Sequence, residues 1–407
     1  MEVFQIFWNY IRVQFQKLNR FFVIDSQIEL SSSFVIPFWL LKAIGYDFRK
    51  LNGAVTCRER INIALHYFNY WFGFLNFNFF FLFTELELWH GSTTNLQKRL
   101  FGLTLLMTYF ICSYRVLSFW HNKSKIMDIL NKLIASYPKS GSSTMQIYQR
   151  LKIFQAIFVG VNSVLSLVTL IPVLRWRITG DRTYLVSFPD FFYYDNIYPF
   201  GLLWNIYAGI FAIVMVSSFM LLTSNLITTI SVEFYSLSDE IKNLKNMTED
   251  EIELEFPKLI ENHQNIFQLV QELSDIFSKT FFFRFIVSAS IIGLNLFQLK
   301  TTENIFESSI FLIYTCFELG QVFLQCYFGQ FLTDASEIIA DEIYNCGWEN
   351  WQRISLKKNL INVLQRSQRP AVLTIWKFGI ISIRQFTSIM DSAYSLTSLI
   401  MNLKAKS

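Results

Sequence analysis

The sequence predicts an all-α membrane protein: seven transmembrane helices, a cytoplasmic N-terminus, an extracellular C-terminus, and a helical anchor region on the cytoplasmic side. Three observations carry this. Apolar residues make up 52% of the chain and charged residues only 16%, with mean hydropathy +0.33, whereas soluble domains hold about a quarter charged residues. Seven apolar runs each approach the roughly twenty residues a helix needs to cross hydrocarbon. Lys and Arg are shared unevenly among the intervening segments, which sets the orientation.

Residues 1–60 form the expected cytoplasmic N-terminus. Met1 to Leu30 mixes Arg12, Lys17, Arg20, Asp25 and Glu29 without the clean apolar region and cleavage site of a secretory signal, so the first span is expected to direct insertion. Phe34 to Ile44 is apolar but too short to span, and is expected as an interfacial or re-entrant helix along the cytoplasmic leaflet. Four spans lie within residues 61–230: Ile61–Phe83, Phe101–Trp120, Ile153–Leu174 and Phe200–Ile230. Phe281–Leu299 and Ile305–Phe328 lie within 280–328, and the last, Ala371–Leu403, precedes a tail at 404–407. The N-terminal segment and the loops 121–152, 232–279 and 329–370 together hold 23 of the 35 Lys and Arg. The positive-inside rule places these segments in the cytoplasm and, after an odd number of crossings, the C-terminus outside.

Cysteine usage agrees, since Cys57, Cys112, Cys316, Cys326 and Cys346 fall in spans or cytoplasmic segments and imply no disulfide framework. The sequons at Asn122 and Asn246 sit in cytoplasmic loops, where glycosylation does not occur; modification of either would overturn the topology.

Two cytoplasmic segments carry helical patterns. Ile252, Phe256, Leu259, His263, Ile266, Val270, Leu273 and Phe277 recur at alternating steps of four and three, a heptad-like seam with Pro257 near the helix start. It predicts a helix, within the anchor segment 231–279, running into the fifth span. Its apolar edge needs a partner, and Glu337–Arg366 in the segment 329–370 offers Ile338, Ile339, Ile343, Trp348, Trp351, Leu356, Leu360 and Leu364. His263 is a core histidine rather than a catalytic one, for no companion groups surround it in the pattern. The chain has four histidines and lacks HExxH, GxSxG, P-loop and zinc spacings, so neither an enzyme nor a cofactor is expected, and no basic stripe suits nucleic acid.

Charged residues inside spans need partners or water. Glu318, mid-way along the sixth span, is expected to pair with a neighbouring span. Arg115 and Arg284, toward cytoplasmic ends, are expected to snorkel. Lys377, Arg384 and Asp391 accompany the last helix, expected over Ile375 to Leu403. Stepping by fours and threes along that helix gives Ser388, Ser392, Ser395, Leu399 and Asn402. Such a stripe either mediates helix packing or wets a shared axis and leaves one apolar constriction at Leu399.

Tyr344, Trp348, Arg366, Ser367, Gln368, Pro370, Leu373, Thr374, Phe386, Tyr394 and Ser395 together resemble the C-terminal signature of insect odorant receptors. A thinner likeness extends upstream to the Phe188-to-Tyr198 loop and His263. The resemblance implies an odorant-specific subunit of a heterotetrameric, odorant-gated, non-selective cation channel in the plasma membrane of olfactory sensory neurons. The partner would be the family's co-receptor, whose longer intracellular loop this chain lacks. It also implies that the cytoplasmic region, here with His263, Tyr344, Trp348, Leu360 and Arg366, anchors the subunits, although packing within one chain is equally compatible with the pattern. Matching Phe386, Ser388 and Leu403-Lys404 puts Leu399 at the hydrophobic gate and Asn402 at the amide ring of such a pore.

A small volatile ligand would lie in a mostly apolar pocket in the outer halves of spans two to six. Candidates are Tyr109, Phe110, Ser163, Ser166, Tyr207, Phe211, Asn295, Tyr314 and Phe317, beneath an aromatic extracellular loop from Arg175 to Phe200. Burial would supply most of the affinity, at roughly 25 cal/mol per Å², with few polar groups fixing orientation. Ordinary span packing is the alternative for each aromatic. Among rival classes, a gustatory receptor is disfavoured by Ala393-Tyr394 and Asn402-Leu403 in the last helix, and a G-protein-coupled receptor by the charge distribution.

Overall fold

The computed structural model describes residues 28–43, 45–46, 64–76, 78–79, 82, 96–136, 142–170, 174, 177–180, 194, 196–302 and 305–406. Among these, helices dominate and the one β feature is an isolated antiparallel bridge between Thr374 and Ile380. We number the helices α1 (Ile28–Ala43), α2 (residues 64–76), α3 (Leu96–Ser136), α4 (Ser142–Ser166), α5 (Tyr198–Asn243), α6 (Glu249–Thr301), α7 (Ile305–Tyr344), α8 (Ile354–Ser367) and α9 (Ile383–Lys406).

Among the described residues, four stretches are long and apolar enough to cross a membrane: Arg99–Ala135, Tyr198–Asn246, Glu249–Thr301 and Ser308–Asn350. Their lengths carry the architecture. At 1.5 Å per residue, the 53 residues of α6 extend ~80 Å, far beyond the ~30 Å of hydrocarbon, so the helix that spans also builds the platform beyond it. The expected loops at 232–279 and 329–370 are therefore mostly continuations of α5, α6 and α7 rather than separate elements.

α5 is the central helix, with every residue from Ser217 to Phe234 buried; it packs against α7, α1, α4, α6 and α3. Phe119 of α3, Phe219 of α5 and Phe277 of α6 meet with ring centroids 5.5, 6.3 and 5.7 Å apart. The short N-terminal helix α1 is packed into this bundle, with Phe34, Leu40 and Leu41 buried. Gln155 of α4 donates from Nε2 to the Ser33 carbonyl at 3.0 Å and to Asn225 Oδ1 at 2.9 Å, joining α1, α4 and α5.

The platform seam follows the predicted register. Ile252, Phe256, His263, Ile266, Val270, Leu273 and Phe277 are buried and Leu259 is half-buried. Pro257 lies well inside α6; the helix starts instead at Thr248, whose backbone N–H donates to Glu251 Oε2 at 2.8 Å, half of a capping box. That contact holds the Glu251 carboxyl below its ordinary range. A second correction concerns the last helix, which begins at Ile383 rather than Ala371 or Ile375. Residues 371–382 form a turn: Ile375 N–H donates to Gly379 O at 2.7 Å and Ile381 N–H to Leu373 O at 2.8 Å, and Trp376 takes a left-handed φ of 48°. Ser382 then caps α9, its hydroxyl accepting from Gln385 N–H at 3.4 Å.

Candidate functional site

The last helix has the two faces its sequence requires. Ile389, Ala393 and Thr397 are buried and pack on α6, where Gly293 permits the approach: a Cβ there would lie 2.9 Å from the Ala393 carbonyl oxygen. Thr397 Oγ1 lies 3.0 Å from the Gly293 carbonyl and 2.9 Å from that of Ala393, closing the seam with hydroxyl-to-carbonyl donation. On the opposite face Ser388, Ser392, Ser395 and Asn402 are exposed, and Leu399 is 57% exposed. Ser392 turns its hydroxyl back to the Ser388 carbonyl at 2.9 Å, as membrane-helix serines do when their surroundings offer no better acceptor. Arg384 and Asp391 are also exposed on α9. Among the described residues the polar stripe stays exposed rather than packed against another helix.

Charges within the spans behave differently from the snorkelling expectation. Arg115 is 1% exposed and Arg284 3%, both folded into the bundle. Arg284 Nη1 pairs with Glu318 Oε1 at 2.5 Å, and its Nη2 donates to Gln321 Oε1 at 3.1 Å. Glu318 thus has the cross-span partner its position demands. Arg115 lies within electrostatic range of both, places its guanidinium 4.6 Å from the Phe219 ring centroid, and among the described residues has no hydrogen-bond partner for any of its three nitrogens. Arg284 therefore takes the carboxylate, and Arg115 lies in its field without joining the pair. Sequence reasoning missed this because Glu318 is more than two hundred positions from Arg115.

The ligand-facing candidates divide. Tyr207 and Phe211 sit together on α5 with ring centroids 6.3 Å apart and meet α2, where the Phe211 ring lies so close to Gly73 that a Cβ would fall 2.2 Å from it. Tyr207 Oη is 3.4 Å from Asn69 Oδ1, and Trp204 donates to Asn76. Tyr109 on α3 is buried and Tyr314 on α7, its electrostatic neighbour, is 39% exposed; Phe317 is half-buried. Asn295 on α6 is buried with its Nδ2 unpartnered. Phe110 points elsewhere, toward Phe283 and the bundle surface, and the Ser163 and Ser166 hydroxyls donate to helix carbonyls at 2.8 and 2.6 Å. Asn205 was not anticipated: it is 2% exposed and both side-chain polar atoms lack partners. Of the aromatic loop between Arg175 and Phe200, Tyr194 is exposed and Tyr198 buried; Trp176, Tyr184, Phe188 and the run from Phe191 to Tyr193 lie outside the described residues.

The platform is fastened at both ends. Arg353 pairs with Asp250 and Glu253 at the start of α6, and Glu249 accepts from the Gln352 and Arg353 backbone N–H groups. At the other end Arg366 stacks 4.0 Å over Phe267, which meets His263 edge-on at 4.7 Å. Burial, reinforced by the Arg366 guanidinium, pushes the His263 pKa down to about 4, so the imidazole is neutral at physiological pH. Its Nε2 has no partner among the described residues, and it borders a cavity of ≈ 10 Å³ lined also by Ile241, Phe256, Ile343 and Leu360, room for one water at most. Leu360 is buried there, while Trp348 is half-buried and Tyr344 exposed.

Comparison with known proteins places this geometry. The family described as 7tm Odorant receptor matches residues 95–394. Odorant receptor 85f of Drosophila melanogaster is 23% identical over 321 residues, 73% of this chain and 80% of that protein, and odorant receptor 85c of the same fly is 24% identical over 308 residues, 70% and 78% of the two. Odorant receptor 13a is 28% identical over 167 residues, a match that spans 40% of its length. The solved olfactory receptor OR5 from Machilis hrabei in complex with eugenol superposes with a TM-score of 0.78 over 93% of this chain and all of that one, at 13% identity. The fold is thus that of a membrane receptor rather than an enzyme, and the chain belongs to the 7tm odorant receptor family.

Proposed function

We propose that this chain is the odorant-binding subunit of a heterotetrameric, odorant-gated, non-selective cation channel, assembled with the family's co-receptor in the plasma membrane of olfactory sensory neurons. The observation that carries the proposal is the exposed stripe of α9: three hydroxyls, then Leu399, then Asn402. Four such stripes around an axis would form a wet conduit closed by a ring of leucine. In this reading the platform of α6, α7 and α8, with His263, Tyr344, Trp348, Leu360 and Arg366, holds the subunits together. Its position on the side rich in Lys and Arg is cytoplasmic.

The ligand is a small volatile held in the outer half of the bundle. Tyr109, Tyr314, Phe317 and Asn295 on α3, α6 and α7 form one group of contacts and Tyr207, Phe211 and Asn205 on α5 another; Phe110, Ser163 and Ser166 are weaker candidates, given where they point. The unpartnered amides of Asn205 and Asn295 supply hydrogen bonds that would orient a hydroxyl or carbonyl, while the rings supply burial. The first test is whole-cell current from cells expressing this chain, the co-receptor, or both, challenged with phenols including eugenol, esters and short alcohols while G-protein signalling is blocked. A rapid cation current that needs both subunits supports the proposal. A current abolished by the block refutes it.

A further inference from the structure

The turn before α9 puts aromatic residues where a helix would have hidden some of them. Trp376 at φ 48° occupies a left-handed conformation that bulky side chains rarely adopt, and such strain persists where surrounding structure holds it for a purpose. Its consequence is that Trp376, Lys377 and Phe378 all face outward, with Phe378 69% exposed and Trp376 44%. Both rings pack on α6: Phe378 stacks on Phe282 at 4.6 Å, and Trp376 meets the same ring edge-on at 5.3 Å. The surface continues through Phe283, 5.4 Å from Phe282, to Tyr114 of α3 at 4.9 Å. Ser274 and Thr374, joined by their hydroxyls at 2.7 Å, pin the turn to α6 from the platform side.

The level of this patch is set by α6. Phe282 and Phe283 stand in the first turn of the apolar run that begins at Phe281, where the helix leaves the platform and enters hydrocarbon. Lys279 is exposed one turn toward the platform on the same face, and Lys377 is exposed between the two projecting rings. Asp275, also exposed, lies a further turn away from the rings. Aromatic rings at a membrane boundary with lysines on the aqueous side match the layering of lipid glycerol and headgroup, and paired cations on the cytoplasmic side match anionic headgroups in particular. An uncharged apolar protein surface would cover these rings but leave the two ammonium groups without counter-charge.

We propose that Trp376, Lys377, Phe378, Phe282 and Phe283, with Lys279 at the edge, form a docking site for an anionic phospholipid of the leaflet facing the platform. Lys279 and Lys377 hold the headgroup phosphate, and the rings hold the glycerol and the upper acyl chain. Because the turn runs through the Ser382 cap into α9, the bound lipid steadies the start of the last helix. From the proposed function the site takes only the cytoplasmic placement of the platform.

The test uses full-length protein in phosphatidylcholine nanodiscs carrying a minor fraction of acyl-brominated phosphatidylserine or, in parallel, of acyl-brominated phosphatidylcholine. Bromine quenches tryptophan on contact, and the difference between wild type and Trp376→Phe isolates Trp376; a Phe378→Trp variant in the Trp376→Phe background gives a second reporter should the first be dim. The expected result is quenching at least about twofold stronger from the phosphatidylserine, with the preference lost in Lys279→Gln/Lys377→Gln. Equal quenching by the two lipids, a preference that survives loss of both lysines, or no quenching of either reporter, as when a neighbouring subunit covers the patch, overturns the site. The readout needs no current, so a silent channel bears on the proposed function alone, and glycosylation at Asn122 or Asn246 would reverse the orientation while leaving the measured preference standing.

Discussion

The platform and the membrane-level interior both draw on the long helices α5, α6 and α7, yet they satisfy most of their polar groups differently. In the platform, Arg353 finds Asp250 and Glu253, Glu249 caps two backbone N–H groups, and a continuous apolar seam fills the space between. At membrane level Arg115, Asn205, Asn295 and Gln325 are buried with polar atoms that have no partner among the described residues, and Arg115 lies beside the Arg284–Glu318 pair without joining it. An unpaired buried polar group costs free energy, and most of that cost falls at membrane level. The difference fits a receptor with a rigid base and a responsive upper half.

That contrast is sharpest at Glu318. Replacing Glu318 with Gln leaves Arg284 and Arg115 without counter-charge and is expected to destabilise by about 3–5 kcal/mol, read as loss of folded receptor in detergent-solubilised thermal unfolding. The triple variant Glu318→Leu/Arg284→Met/Arg115→Met, which removes both guanidinium groups with the carboxylate, should recover most of it, and a loss as large as that of Glu318→Gln would show that this charge cluster does not carry the effect. In the platform, Leu360→Ala removes a buried side chain beside the His263 cavity and should cost about 2–4 kcal/mol; a change under about 1 kcal/mol would mean that the platform is not close-packed.

At the last helix, Leu399→Ala should raise basal cation leak several-fold with surface expression unchanged. The stability cost should be small, since Leu399 is 57% exposed, and an unchanged leak removes Leu399 from the gate. His263 gives a pH signature. Its pKa is pushed down to about 4 in the folded chain from about 6.5 unfolded, so the unfolded state binds more protons between those values. Stability is full above about pH 6.5 and falls as pH drops toward 4. His263→Leu should flatten the dependence of the unfolding midpoint over that window, and an unchanged slope would locate the titration elsewhere. The smallest effect is expected from Arg353→Ala: its partners Asp250 and Glu253 are largely exposed, so the loss should be about 1 kcal/mol or less.

Sequence pattern located the platform well because its information is local: a 3.5-residue repeat of apolar side chains forces one face of α6 inward whatever lies opposite. It misplaced the start of α9 because Ile375 to Ile381 is as apolar as a helix would be. The signal that could have corrected it is Ser382 followed three residues later by Gln385, a helix-start pattern. Arg115 was beyond reach, since a cation near the end of a span ordinarily snorkels, and only the packing of α3 against α5 and α6 turns it inward.

Composition and charge asymmetry determined that this chain enters a membrane, and helical periodicity determined which face of α6 packs inward and which residues of α9 form a polar stripe; these depend on neighbours within two turns. Only the tertiary structure decided that α9 starts at a strained turn, that the stripe stays exposed among the described residues, and that Arg284 pairs with Glu318 while Arg115 does not. Such outcomes depend on which distant helices meet and at what height, and hydropathy, blind to register between helices, holds no record of it.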